Sequence, residues 1–98
     1  MKITFTNYKG TLNVVLDGRL DTTTAPELES FLSNNYDGTG SIVIDCEKLS
    51  YISSAGLRVL LAAQKKMQKI GTMKLVNVCE DVMEIFEMTG FADILVIE

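Results

Sequence analysis

Hydrophobic side chains occupy alternate positions in two short stretches near the start of the chain. One stretch covers residues 3–5 and the other covers residues 12–16, and most of the intervening residues are polar. This alternation predicts two strands, each with one buried face. The short connection at Lys9-Gly10 predicts that the strands pair as an antiparallel hairpin, and Asp17-Gly18 predicts a turn that ends the second strand.

Three later segments repeat apolar residues every three or four positions, and this spacing predicts three helices. Thr24 and Glu27 fit a capping box at the start of the first helix, and Pro26 falls within its first turn. Gly71 and Gly90 predict where the second and third helices end. The residues predicted to face the core are Leu28, Phe31 and Leu32, then Gly56, Leu60, Ala63, Met67 and Ile70, and finally Val82, Ile85 and Phe86.

The run Ile42-Val43-Ile44 is continuously apolar and predicts a central strand that is buried on both faces. Residues 73–78 and 94–97 predict two further strands, so that the order along the chain is β-β-α-β-α-β-α-β. Strands joined through helices must pair in parallel with right-handed connections. The sequence therefore predicts a single α/β domain over residues 1–98, in which a mixed but mostly parallel sheet packs against helices.

The composition narrows the classes of function that this domain could serve. Its formal net charge of −4 argues against a direct nucleic-acid partner, because binding to phosphates needs a basic surface. No apolar run approaches the roughly 18 to 20 residues of a membrane span, and the N-terminus is unlike a signal peptide. We therefore expect a cytoplasmic protein without a membrane partner.

The residues that most enzymes depend on are scarce. The chain contains no histidine, which removes the Ser-His-Asp triad, most zinc sites and the commonest general base near neutral pH. It has no Walker A loop and no GxGxxG motif. Cys46 and Cys79 form no CxxC pattern, so we expect two reduced thiols in or near the core. These observations predict a protein that is not an enzyme and uses no catalytic residue, cofactor or metal.

Two serines stand where the chain passes from the central strand region into the second helix. Ser53 and Ser54 come directly before Ala55 and Gly56 at this junction. A serine in this position can cap the helix, which stabilises it by about 1 kcal/mol. Capping by one serine leaves the other free to face solvent as a modifiable hydroxyl, to which phosphorylation would add roughly −1.5 to −2 charges.

Charged residues near the junction have two interpretations each. Asp21 and Asp45 are loop carboxylates that either hydrogen-bond to local backbone or lie beside the serines. Arg58 begins a basic stripe along the second helix, which is either a solvated face or a contact for a partner. Two acidic residues without further ligands are weak support for a metal site.

Several of these segments together resemble the STAS domain and, within that family, the stand-alone bacterial anti-sigma factor antagonists. The resemblance covers almost the whole chain. It is carried by Gly18-Arg19-Leu20-Asp21, by Ile42-Val43-Ile44-Asp45, by the stretch from Leu49 to Leu57, and by Phe86-Glu87-Met88-Thr89-Gly90-Phe91 near the end.

The resemblance implies a phosphorylation switch. In that family the phosphorylated serine lies two positions before the glycine, which is the position of Ser54; the family often has Asp where this chain has Ser53. Such proteins bind an anti-sigma factor serine kinase while unphosphorylated and so release a sigma factor, and a cognate phosphatase restores that state. The partner-binding residues that the resemblance and the junction together suggest are Asp21, Thr22, Ser53, Ser54, Ala55, Gly56 and Arg58. The alternative is a scaffold subunit that docks constitutively, with Ser54 only capping the helix.

Overall fold

A computed structural model describes residues 1–98 as one five-stranded sheet with three helices. This architecture confirms the predicted α/β fold class. The elements in chain order are strands β1 (Lys2–Tyr8) and β2 (Thr11–Leu20), helix α1 (Ala25–Ser33), strands β3 (Ser41–Asp45) and β4 (Leu49–Ile52), helix α2 (Ser54–Ile70), strand β5 (Thr72–Val76) and helix α3 (Glu80–Thr89), followed by a short 3-10 turn at Phe91–Asp93. None of the helices combines the length and the apolar character needed to cross a membrane.

The sheet is mixed and mostly parallel, as the sequence predicts. Its strand order is β1-β2-β3-β5, and β4 pairs with β2 outside this path. Strands β1 and β2 form the predicted antiparallel hairpin around Lys9 and Gly10, both of which have positive φ angles (52° and 83°). The pairs β2–β3, β2–β4 and β3–β5 are all parallel.

The core lies on one side of the sheet only. In β3, Ile42 and Ile44 are fully buried in the same cluster as Leu28, Leu60 and Phe86 from the three helices. Val43 points to the opposite face and is only half-buried. The prediction that this strand is buried on both faces is therefore wrong, because all three helices contribute to the cluster on a single face.

The second strand does not end at Asp17-Gly18. It continues to Leu20 through a shift of register between Gly18 and Arg19, where the φ of Gly18 is +119°. A glycine at a bulge supplies a backbone conformation that other residues rarely adopt. From Gly18 onward, β2 pairs with β4, a strand that is absent from the predicted order of elements.

The last predicted strand is much reduced. Gly90 ends α3 in the left-handed conformation, as predicted (φ +81°), and the chain then enters the 3-10 turn. Only one parallel bridge, between Leu75 and Ile97, remains of the strand predicted at residues 94–97. Strand β5 is also shorter than predicted, because Asn77 takes a positive φ of 56° directly after Val76.

The predicted faces of the helices are largely confirmed. Leu28 and Leu32 in α1, Leu60, Ala63 and Met67 in α2, and Val82 and Phe86 in α3 are buried. Ile70 is the exception, since 47% of its surface is exposed at the last residue of α2. The residues of the basic stripe on α2, which are Arg58, Lys65, Lys66 and Lys69, are all exposed.

Candidate functional site

The two serines at the start of α2 have different structural roles. Ser53 is the N-cap, and its Oγ accepts a hydrogen bond from the Gly56 N–H at 3.4 Å. Its own N–H donates to the Leu20 carbonyl at 2.9 Å, which ties the cap to the end of β2. Ser53 is thus held by both its side chain and its main chain, and the predicted capping role falls to this serine.

Ser54 is the first residue of α2 and is exposed. The hydrogen bond that caps the helix uses Ser53, and the Ser54 hydroxyl makes no hydrogen bond within the protein. No acid or base is paired with it that could activate it as a nucleophile. A hydroxyl that is exposed, uncommitted and fixed on the first turn of a helix can instead contact another molecule or accept a modifying group.

Asp21 organises the loop between β2 and α1. Its Oδ1 accepts hydrogen bonds from the Thr23 hydroxyl at 2.8 Å and from the N–H groups of Thr23 and Thr24 at 3.1 Å each. The Thr23 hydroxyl, followed by the Thr24 N–H, lowers the pKa of Asp21 below its ordinary value, because these donors favour the charged carboxylate. The loop is therefore shaped around an ionised side chain.

The predicted capping box at Thr24 and Glu27 does not form. Thr24 is the N-cap of α1 but its side chain makes no capping hydrogen bond. The Thr24 hydroxyl instead donates to the Arg19 carbonyl at 2.7 Å and accepts from the Asp21 N–H at 2.8 Å. The Thr24 hydroxyl therefore closes the loop. The N–H groups at the start of the helix donate to Asp21 instead, that of Thr24 to the carboxylate and that of Ala25 to the carbonyl.

The structure brings most of the predicted partner-binding residues to one end of the molecule. Asp21 directly follows Leu20, whose carbonyl holds Ser53. Thr22, Ala55 and Arg58 line one groove between α1 and α2. Thr22 and Arg58 are exposed there, and Asp21, Ser53 and Ala55 are partly exposed.

Gly56 is the one predicted residue that is buried, so it cannot offer a surface to a partner. A Cβ atom placed on it would lie 2.7 Å from Leu20 Cγ, 2.9 Å from Ile52 Cγ1 and 3.0 Å from the Leu20 carbonyl oxygen. Its contribution is to let α2 approach the ends of β2 and β4 closely. Gly56 is a positioning residue within the fold.

Two exposed residues beside this surface were missed by the sequence analysis. Arg19 and Tyr51 are paired across β2 and β4, and the Arg19 guanidinium lies 4.3 Å from the centre of the Tyr51 ring. The same guanidinium is 3.9 Å from an Asp21 carboxylate oxygen. Leu49 and Ile52 are buried, whereas Ser50 and Tyr51 are exposed, so the segment lacks the simple alternation of a strand and offers no clear sequence signal for this pairing.

Asp45 and Cys46 do not belong to this surface. The Asp45 Oδ1 accepts hydrogen bonds from the Glu47 N–H and the Asn77 side chain, at 3.0 and 3.2 Å, and none from either serine. Cys46 is fully buried, and burial raises the pKa of its thiol to about 12, with Asp45 and Cys79 adding to the effect. Both cysteines are free thiols, as predicted. No group of three or more acidic or thiol side chains is arranged to hold a metal ion.

The sequence pattern of the STAS domain matches residues 2–98. The chain belongs to the STAS domain family. A relative from Bordetella bronchiseptica, BtrV, which is named as an anti-sigma factor antagonist, is 38% identical over 96 residues; the match covers 96% of this STAS domain and 83% of BtrV. The family assignment made from the sequence is thereby confirmed.

Solved structures share the fold of this STAS domain. An anti-sigma factor antagonist from Mycobacterium paratuberculosis has a TM-score of 0.86 at 24% identity, covering 98% of this chain and 83% of its own. The Bacillus cell fate determinant SpoIIAA, in its phosphorylated form, has a TM-score of 0.77 at 18% identity, covering 99% of this chain and 91% of its own. At these identities the likeness shows a common fold.

Beyond the serines, the groove of this STAS domain extends along the two helices. Glu29 and Val59 line both the part next to Arg58 and the part that follows toward Tyr36 and Lys66. The floor contains the small residues Ala55, Ala62 and Ala63. The serine end therefore opens into a surface that is flanked by a basic helix on one side and an acidic one on the other.

Proposed function

We propose that this STAS domain is an anti-sigma factor antagonist whose binding is switched by phosphorylation of Ser54. In its unphosphorylated form it sequesters an anti-sigma factor that is also a serine kinase, and a sigma factor is released. The kinase transfers the terminal phosphoryl group of ATP to the Ser54 Oγ, with ADP as the second product and the hydroxyl proton passing to solvent. A cognate phosphatase hydrolyses the phosphate and restores the binding form.

The observation that supports this proposal most strongly is that the two serines have different structural roles. Ser53 caps the helix, so Ser54 can be modified without removing a hydrogen bond from the fold. A negative charge at the first turn of a helix is favourable by about 0.3 to 1 kcal/mol. We therefore expect the fold to survive phosphorylation, which a reversible switch requires.

The same charge opposes binding. A partner surface that fits a neutral hydroxyl must accept a group of roughly −1.5 to −2 charges at its centre once Ser54 is phosphorylated. Each 1.4 kcal/mol of lost binding free energy lowers the affinity tenfold, and leaving a charge buried without a partner costs several kcal/mol. A loss of affinity of this size is enough to change the complex from mostly bound to mostly free at ordinary protein concentrations.

The expected contact surface lies around Ser54 and includes Asp21, Thr22 and Arg58, which the fold brings to the same end of the domain. Ser53 and Ala55 form its centre, and Arg19 and Tyr51 extend it along the ends of β2 and β4. Two observations support the proposed function: the relative BtrV is named as an anti-sigma factor antagonist, and SpoIIAA, which shares the fold, exists in a phosphorylated form.

The test uses the anti-sigma factor kinase encoded in the same organism and measures binding by isothermal titration calorimetry. Ser54→Asp should lose at least tenfold in affinity while its melting temperature stays within a few degrees of the unmodified chain. Ser30→Asp, which adds the same charge at an exposed position on α1, is the matched control and should bind normally. Equal binding by Ser54→Asp and the unmodified chain would refute the switch.

Incubation with the kinase and ATP, followed by mass spectrometry, checks the modification itself. We expect one phosphate in the unmodified chain and in Ser53→Ala, and none in Ser54→Ala. A chain that binds its partner but never acquires phosphate would instead be a constitutive scaffold subunit.

A further inference from the structure

We propose that Arg58 holds the phosphate of phosphorylated Ser54 within the same chain. The proposal rests on the phosphorylation of Ser54 put forward above and adds a residue that sets how stable the modified state is. Ser54 and Arg58 are four residues apart on α2, and both side chains are exposed.

The geometry of the helix favours this pair. Residues four apart lie one above the other on the same face, with Cβ atoms about 5 to 6 Å apart. Side chains of a helix lean toward its N-terminus, so the long Arg58 side chain extends over the turn that carries Ser54. An anion that precedes a cation by four positions is also the more favourable of the two possible orders.

Arg58 is free to make this contact. The ion pairs of the chain are Arg19 with Asp21 and Lys74 with Glu98, so Arg58 has no carboxylate partner. Glu29 lines the same groove from α1 and is the charged side chain that faces Arg58 there, but the two are not paired. A phosphate dianion offers more charge than one carboxylate and matches the planar, forked donors of a guanidinium.

The pair has a consequence for the switch. In the unphosphorylated chain the Arg58 guanidinium is exposed beside Ser54 and is available to an acidic group of the partner. Once the phosphate is present, the same guanidinium turns to it. Phosphorylation thus adds a negative charge to the surface and withdraws a positive one in a single event.

The experiment places phosphoserine at position 54 during translation, so that no kinase is needed, and follows the second ionisation of the phosphate by phosphorus NMR as the pH is varied. Arg58→Gln should raise the midpoint of this ionisation by about 0.2 to 0.4 pH unit, because the dianion loses a nearby positive charge. Arg58→Lys keeps the charge and should retain at least half of the effect.

Lys65→Gln is the matched control. Lys65 is an exposed base on the same helix, about 16 Å from Ser54 along the helix axis. This separation exceeds the Debye length of about 8 Å in 0.15 M salt, so its charge is largely screened from the phosphate. Its midpoint should equal that of the unmodified chain. An unchanged midpoint in Arg58→Gln, or an equal shift in Lys65→Gln, would overturn the pair.

Failure of this pair and failure of the proposed switch give different results. If the kinase never modifies Ser54, the proposed function is refuted, whereas the midpoint in the chain with built-in phosphoserine still reports on Arg58. If the kinase does modify Ser54 and the midpoint does not respond to Arg58→Gln, the switch stands and the pair is refuted.

Discussion

Adding one methyl group at Gly56 would show how tightly the serine junction is fitted to the sheet. In Gly56→Ala the new Cβ would lie 2.7 Å from Leu20 Cγ and 2.9 Å from Ile52 Cγ1, well inside normal contact distance. Neither side chain has room to move away, because Leu20 is fully buried and Ile52 is 2% exposed. The third contact, at 3.0 Å, is the Leu20 carbonyl that accepts the Ser53 N–H, so the helix cannot shift without loosening its own anchor.

The expected magnitude is a balance of two terms. Alanine in place of glycine favours a helix by up to about 1 kcal/mol. Forcing a methyl group into a filled core costs typically 1 to 3 kcal/mol. Because all three contacts are 3.0 Å or shorter, we expect a cost of about 2 to 3 kcal/mol, at the upper end of this range. The net loss is then about 1 to 2 kcal/mol, which for a domain of this size lowers the melting temperature by roughly 5 to 15 °C.

Urea denaturation followed by circular dichroism measures this loss directly. Ala62→Gly, at an exposed position in the middle of α2, provides the helix-propensity term in the same helix. Because α2 must move to relieve the overlap, Gly56→Ala should also weaken binding of the partner more than its stability loss explains. If Gly56→Ala were as stable as the unmodified chain or more so, the reasoning from close approach would be refuted.

Two further predictions concern the neighbours of this junction. Ser53→Ala should cost about 1 kcal/mol in urea denaturation, because it removes the cap, whereas Ser54→Ala should leave the stability nearly unchanged; equal losses would contradict the assignment of the cap to Ser53. Cys46 has a raised pKa of about 12 against an ordinary value of 9.0, so the folded state holds its proton longer than the unfolded one, and stability should fall as the pH rises from 9 toward 12. The slope should be about 1 kcal/mol per pH unit and should flatten in Cys46→Ala; the same slope in both chains would exclude the buried thiol as its cause.

The elements that the sequence predicts well are those with a long, one-sided pattern. The hairpin of β1 and β2 and the three helices each repeat their apolar residues over several turns or alternations, and a single core on one face of the sheet satisfies all of them. The junction itself was also predictable, because Ser53-Ser54-Ala55-Gly56 combines a capping residue with small residues at the start of a periodic segment.

The features that were missed depend on contacts that the local sequence pattern does not encode. Strand β4 has only four residues, of which Leu49 and Ile52 face inward, and such a short segment has no period that distinguishes a strand from a loop. Gly18 was interpreted as a turn because a bulge and a turn use the same glycine conformation. The predicted capping box does not form because the Thr24 hydroxyl donates a hydrogen bond to the Arg19 carbonyl, and the capping-box pattern does not include this residue.

The partner surface was predictable only in part for the same reason. Asp21 and Thr22 come from the loop between β2 and α1 and Arg58 comes from α2, and the likeness to a known family, together with the serine junction, was what grouped them in the sequence. Arg19 and Tyr51 could be grouped only by the pairing of β2 with β4. Gly56 was placed on the surface because a glycine beside a reactive serine is as consistent with close approach of a partner as with close packing inside the fold.

The bulge between Gly18 and Arg19 divides β2 into two parts with different neighbours. Residues 11–15 lie between β1 and β3 in the middle of the sheet, whereas residues 18–20 hold the four-residue β4. One strand thereby serves two purposes: its first part is a central strand of the sheet, and its last three residues anchor β4 and, through the Leu20 carbonyl, the start of α2.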